Sequence, residues 1–229
     1  HNKEVEQTRN QKNFLLSITH ELKSPIASVQ LITETLLKRK ISHEEQADLL
    51  QSILSENKRL EKLINNLLLA TKLEADYQFN FENIDINEVI KKCIQRQFIP
   101  NPNATITYEY DQPLWISGDK EALVSVFTNL IENGIKYGHS TPEIVITHKI
   151  IDKNLYVMVK DNGPGIAELE KDKIFNQFYR VGNEKTRKTK GTGLGLYITN
   201  KIIKAHKGKI KVDNDPYSGA IFSIILPIV

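Results

Sequence analysis

The chain has 229 residues, 40% of them hydrophobic and 26% charged, with a net charge of +3 and one cysteine. That length holds one large or two small domains with cores of their own, and the composition excludes disordered and fibrous classes. The small net charge gives no case for nucleic acid or a membrane surface as partner, and a lone Cys93 excludes an internal disulfide framework and suits a reducing compartment.

Residues 1 to about 76 contain one proline and no glycine, and they predict two long helices. Leu15, Ile18, Leu22, Pro25, Val29, Ile32 and Leu36 step by three and four as a heptad seam. A second seam runs Leu49, Ile53, Glu56, Leu60, Leu63, Leu67 and Ala70, with Glu56 its one polar break. Between them, basic residues suit the end of the first helix, and Ser42 with Glu45 predicts a capping box opening the second. Such a hairpin leaves a further stripe, Leu50, Leu54, Ile64 and Leu68, uncovered. Dimerisation into a four-helix bundle is the simplest way to bury it.

The heptads stop near Ala75-Asp76-Tyr77, which sets the predicted domain boundary. Beyond it, strands are predicted over Gln78–Ile84, Thr105–Asp111, Glu143–Ile151, Asn154–Asp161, Lys209–Asn214 and Ala220–Leu226. Helices are predicted over Asp85–Phe98, Asp119–Tyr137 and Gly193–His206, the last stopped by Gly208. The expected fold is an α+β sandwich, a mixed sheet with helices on one face. Cys93 lies with Val89 and Ile90 on an apolar helix side, which predicts a buried structural thiol.

The longest apolar run, Ala220 to Val229, contains Ser223 and Pro227 and is too short to span a bilayer. The chain opens on His1 rather than Met, so it is expected to be a soluble fragment of a longer protein, with any membrane segment outside it.

Several stretches carry chemistry. Asp161-Asn162-Gly163-Pro164-Gly165 follows a strand, so its carboxylate can accept a hydrogen bond from an exocyclic amine while the glycines let a flat ring approach the backbone. Alone, the same residues also read as a plain turn. Gly191-Thr192-Gly193-Leu194-Gly195-Leu196 precedes a helix whose N-terminus favours phosphate, or it is a glycine-rich connector. Tyr179 to Lys190 is a basic loop able to fold over an anion. Asn129, Asn133 and Lys136 share one helix face, where an amide oxygen can serve Mg²⁺. His20 lies about 200° around the helix from the seam residues Ile18 and Leu22, so it should face solvent. Pro25 should bend or loosen the helix beside it.

In order and spacing, Asn129–Tyr137, Asp161–Gly165, Phe175–Phe178 and Gly191–Leu196 resemble the N, G1, F and G2 boxes of sensor histidine kinases. His20-Glu21-Leu22-Lys23-Ser24-Pro25 resembles their H box. The resemblance covers essentially the whole chain. It implies a dimerisation and histidine-phosphotransfer hairpin (1–76) followed by a Bergerat-type ATP-binding domain (77–229). ATP and Mg²⁺ are the implied cofactors. The partners are a second copy of the chain and the receiver domain of a response regulator, and the parent is a bacterial inner-membrane protein with this portion in the cytoplasm.

The resemblance also assigns roles. His20 is the phosphoryl acceptor, Glu21 takes the imidazole proton, and Ser24 positions water for dephosphorylating the partner. Asn133 holds Mg²⁺, with Asn129 on the same wall and Lys136 and Arg180 near the terminal phosphates. Tyr137 packs beside the nucleotide, Asp161 binds the adenine amine, and Gly163, Gly165 and Ile166 shape the adenine end. Gly191, Gly193 and Gly195 form the phosphate end of the lid, and Phe175, Tyr179, Lys190, Thr192, Leu194 and Leu196 complete the implied nucleotide-binding set. Gly134 stands where the family often has alanine and should loosen its helix; Ser24 replaces a common threonine and keeps the hydroxyl. The alternatives are an ATPase of the same nucleotide fold, with Glu132 beside Asn133, and a non-catalytic nucleotide-binding scaffold.

Overall fold

The computed structural model describes residues 2–75, 77–98, 100–110, 112–181 and 191–228. The chain forms two compact units, a helical one of His1–Ala75 with Gln177–Leu194, and a sheet unit of Asp76–Asn176 with Gly195–Val229.

The helical unit is built on α1 (Asn2–Lys38) and α2 (His43–Glu74). Their facing residues are those of the predicted seams: Pro25, Leu63 and Ala70 are buried, and Ile18, Leu22, Val29, Ile32, Ile53 and Leu60 are half-buried. The seam opens toward the amino-terminal end, where Leu15 is exposed. Helix α1 is unbroken at Pro25, so the lost backbone donor, a cost of about 3 kcal/mol in a helix interior, does not end it. The capping box forms as predicted: Ser42 Oγ accepts from the Glu45 N–H at 3.2 Å, and Glu45 Oε2 accepts from the Ser42 N–H at 3.0 Å. The second apolar stripe is open, with Leu50 at 47%, Leu54 at 54%, Ile64 at 48% and Leu68 at 53% exposure. Among the described residues no helix is long and apolar enough to cross a membrane.

The sheet unit runs β1 (Glu82–Asp85), α3 (Ile86–Phe98), β2 (Thr105–Tyr108), β3 (Trp115–Gly118), α4 (Lys120–Tyr137), β4 (Glu143–Ile151), β5 (Asn154–Asp161), α5 (Gly195–Ala205), β6 (Lys209–Asn214) and β7 (Ala220–Pro227). Five strands form a mixed sheet in the order β2-β4-β5-β7-β6, with only β2 and β4 parallel. Burial alternates along β5 and β7. Leu155, Val157 and Val159, like Phe222, Ile224 and Leu226, are buried on the side of the sheet that α4 packs against. Cys93 is fully buried on α3, and that burial pushes its thiol pKa up, as expected of a structural cysteine.

Three boundaries differ from the sequence reading by more than one residue, and one strand is additional. Tyr77, Phe79 and Phe81 alternate like a strand, but their rings cluster with each other and with His206, so pairing begins only at Glu82. The unpredicted β3 pairs antiparallel with β1 as a separate ribbon. Strand β2 stops at Tyr108. Helix α5 starts at Gly195 rather than Gly193, because Gly193 adopts φ +70°, outside the helical region.

Asp119 joins distant parts of this unit. Its Oδ1 caps α4 by accepting from the Ala122 N–H, and its Oδ2 accepts from the Asn80 N–H. Its own N–H donates to Nε2 of the buried His206, whose Nδ1 lies 2.8 Å from the Ile202 carbonyl. His206 is therefore a neutral imidazole protonated on Nδ1. Burial lowers its pKa, outweighing the Ile202 carbonyl and the Asp119 charge. A depressed folded pKa means that the unfolded chain takes up protons first. Stability is then complete above the ordinary histidine pKa of about 6.5 and falls as pH drops below it. Melting curves between pH 5 and 8 should show this acid slope, and His206→Gln should flatten it.

Candidate functional site

Strand β5 ends on Asp161, whose side chain is held before any ligand arrives. Its Oδ1 accepts from the N–H groups of Gly163 at 2.8 Å and Ala220 at 3.1 Å. Among the described residues no donor reaches Oδ2, so that oxygen can accept a further hydrogen bond. The loop after Asp161 is tied down by Asn162, whose amide accepts from the Glu143 N–H and donates to the Thr141 carbonyl. Ser218 Oγ donates to the carbonyls of Asn162 and Gly163.

Two glycines are required by close approach. A Cβ on Gly163 would stand 2.6 Å from the Tyr137 carbonyl oxygen, so only glycine lets the loop pass the end of α4. Gly219 sits at φ +95°, and a Cβ there would lie 1.7 Å from the Asp161 carbonyl oxygen. Sequence reasoning missed Gly219; its signal was Ser218-Gly219 immediately ahead of a strand.

Helix α4 carries the predicted polar face. Asn129 is buried, Asn133 half-buried and Lys136 exposed, so the stripe climbs from the core to the surface. Asn129 Nδ2 donates to the Gly195 carbonyl at 3.4 Å, joining α4 to the first residue of α5. Lys136 Nζ lies over the Tyr137 ring and donates to its hydroxyl at 3.1 Å. Gly134 also has a packing role: a Cβ there would press to 2.9 Å from Ile144 Cγ1, so glycine lets α4 seat closely on β4. Among the described residues no three His, Cys, Asp or Glu side chains group as a metal cage. The Asn133 oxygen suits a hard cation held otherwise by water and phosphate.

Ile166 and Phe175 are half-buried, Phe175 closing a 3₁₀ turn over Lys173–Phe175, and Leu196 lies in the first turn of α5. In the helical unit, Tyr179, Arg180, Thr192 and Gly193 are half-buried and Leu194 is buried. Phe178 donates its N–H to the Gly193 carbonyl and adopts φ +66°, a strained conformation for so large a residue. A Cβ on Gly193 would meet the Tyr179 carbonyl oxygen at 2.7 Å. Lys190 lies outside the described residues.

His20 is exposed on α1, and Ser24 is half-buried one turn on. Glu21 has both oxygens occupied. Oε2 accepts from Arg59 Nη2 at 2.8 Å and Oε1 accepts from the Gly191 N–H at 3.0 Å. Partial burial opposes ionisation, but the Gly191 hydrogen bond and the Arg59 guanidinium, with Arg180 adding to them, hold the carboxyl below its ordinary pKa. Arg59 also pairs with Glu56 at 3.5 Å, which explains the polar break in the second seam. That break was the available sign of Arg59, which the sequence reading did not single out.

Residues 10–76 match the family described as His Kinase A (phospho-acceptor) domain. Residues 118–229 match the family described as histidine kinase-, DNA gyrase B-, and HSP90-like ATPase. The sensor-like histidine kinase SenX3 of Mycobacterium tuberculosis is 30% identical over 94% of this chain and 53% of its own. The sensor protein kinase WalK of Staphylococcus aureus is 33% identical over 96% of this chain and 37% of its own. The chain thus spans about half or less of these two curated relatives. Among solved structures, the catalytic domain of histidine kinase ThkA is 32% identical, with a TM-score of 0.57 over 66% of this chain and 99% of that one. ThkA in complex with response regulator protein TrrA shares the fold, with 24% identity and a TM-score of 0.71 over 99% of this chain and 66% of that one.

Proposed function

The chain belongs to the sensor histidine kinases, and from that premise we propose that residues 77–229 bind ATP with Mg²⁺ while residues 1–76 carry the phosphoryl acceptor, His20. One observation favours a transferase over an ATPase or a scaffold. His20 stands exposed on α1, and the carboxyl of Glu21, its neighbour in sequence, is held below its ordinary pKa by the Gly191 N–H and Arg59 against the opposing effect of partial burial.

In this reading the Asp161 carboxylate receives the adenine amine at Oδ2, and Gly163, Gly165 and Ile166 border the ring. Tyr137, Phe175 and Tyr179 pack around the nucleotide. Asn129 steadies the wall beside it, and Asn133 offers its amide oxygen to Mg²⁺, which would neutralise phosphate charge when bound. Lys136, Arg180, Lys190 and the backbone from Gly191 to Leu196 serve the phosphates. A nitrogen of His20 attacks the γ-phosphorus through its lone pair, the bond to the bridging oxygen breaks, and ADP leaves. The ring then sheds the proton of its other nitrogen toward Glu21, which must first release the Gly191 N–H. Positioning and charge neutralisation supply most of the rate.

The phosphoryl group then passes to an aspartate of a response-regulator receiver domain, a partner class supported by the ThkA–TrrA complex. Ser24 orients water for the reverse, dephosphorylating reaction. A homodimer covers Leu50, Leu54, Ile64 and Leu68. ATP as donor places this portion of the parent protein in the cytoplasm, and an inner-membrane anchor would lie outside these residues.

Incubation with γ-labelled ATP separates the readings: acid-labile label on the protein for the kinase, free phosphate alone for an ATPase, neither for a scaffold. Asn133→Ala should weaken ATP binding about tenfold in Mg²⁺ and far less in EDTA, a difference readable by calorimetric titration.

A further inference from the structure

Asn214, the last residue of β6, closes a two-point clasp on Ile166. Its Oδ1 accepts from the Ile166 N–H at 2.8 Å, and its Nδ2 donates to the Ile166 carbonyl at 2.8 Å. One side chain thus satisfies both backbone groups of a residue that belongs to no helix or strand, as a neighbouring strand would. The clasp spans 48 positions of sequence. Gly165 makes room for it, since a Cβ at that residue would lie 2.9 Å from Asn214 Oδ1, and Gly165 holds φ +75°.

The base of the clasp is itself fixed. Asp215 accepts from the N–H groups of Tyr217 and Ser218 and pairs with Lys160 at 2.7 Å. Its own N–H donates to the Gly219 carbonyl. Asp161 is anchored separately, by Gly163 and Ala220. The carboxylate and Ile166 are therefore held by different hydrogen bonds, although Ser218 and Gly219 join the two regions.

We propose that Asn214 is a positioning residue for the base end of the nucleotide: it sets the backbone of Ile166, and through it the segment on which the purine rests, without touching the reading of the amine by Asp161. This rests on the ATP-binding reading above. The shape of the segment determines how well the flat ring seats, so losing the clasp lowers affinity and leaves the phosphoryl-transfer step alone.

Wild type, Asn214→Ala, Asn214→Asp and Asp161→Asn are compared by calorimetric titration with ADP and with IDP, which lacks the exocyclic amine. Asn214→Ala should weaken ADP about tenfold, at full binding stoichiometry, with kcat at saturating ATP within about twofold of wild type. IDP should weaken by the same factor, so the ADP:IDP ratio is kept, whereas Asp161→Asn collapses that ratio. Asn214→Asp retains the acceptor and loses the donor, and should fall between. Unchanged ADP affinity in Asn214→Ala overturns the proposal. So does a reduced number of binding sites at unchanged affinity, which would mark a purely structural role. Failure of wild type to bind ADP would instead remove the ATP-binding reading beneath it.

Discussion

Replacing Gly219 by alanine should unfold or grossly distort the nucleotide end of the sheet unit, lowering stability by about 4 kcal/mol or more and abolishing ADP binding. The added Cβ would stand 1.7 Å from the Asp161 carbonyl oxygen and 3.1 Å from its Oδ1. No rotation of a side chain relieves the first contact, because both atoms are fixed by backbone. The φ of +95° adds strain of its own for any L side chain. The only relief is to separate the loop ahead of β7 from the end of β5, and that breaks the Ala220 hydrogen bond to Asp161. Thermal melts and titration with a fluorescent ADP analogue test this. A melting point within about 2 °C of wild type, with affinity intact, would show that the approach of these segments is looser than described.

His20→Gln should leave no label on the protein after incubation with γ-labelled ATP, while ATP affinity changes by less than about twofold. Glutamine roughly matches imidazole in reach and polarity, but its amide nitrogen has no lone pair free for attack on phosphorus. His20 is exposed, so the exchange costs little packing. Acid-labile label persisting on the variant would move the acceptor elsewhere, and loss of ATP binding would tie His20 to the nucleotide pocket itself.

Most of the fold was legible because long periodic signals dominate it. The heptad seams of α1 and α2 and the alternation of β5 and β7 each repeat one pattern over eight residues or more. What misled was local. Tyr77, Phe79 and Phe81 alternate as a strand would, yet alternation also serves a ring cluster around His206. The four residues of β3 are too few to show a period. For the site, the glycine and asparagine stretches were visible as motifs. The residues that hold them were not: Arg59, Asn214 and Gly219 act across gaps of sequence that no local pattern spans. The packing role of Gly134 was hidden for the same reason, since it lies in the nearness of Ile144 and not in its own helix.

The Asp119 junction has a consequence for how the protein acquires its activity. The hydrogen bonds there close loops of 39 and 87 residues, and the Ala220 bond to Asp161 closes one of 59. Closure entropy for such loops is recovered only when the remote segments dock, so no stretch of the sheet unit can fix the Asp161 loop ahead of the rest. On the ATP-binding proposal, nucleotide and folding are thereby linked. At a concentration a hundred times its Kd, bound ATP would add about 2.7 kcal/mol to the cohesion of the whole unit, and a cell depleted of ATP would hold a softer protein.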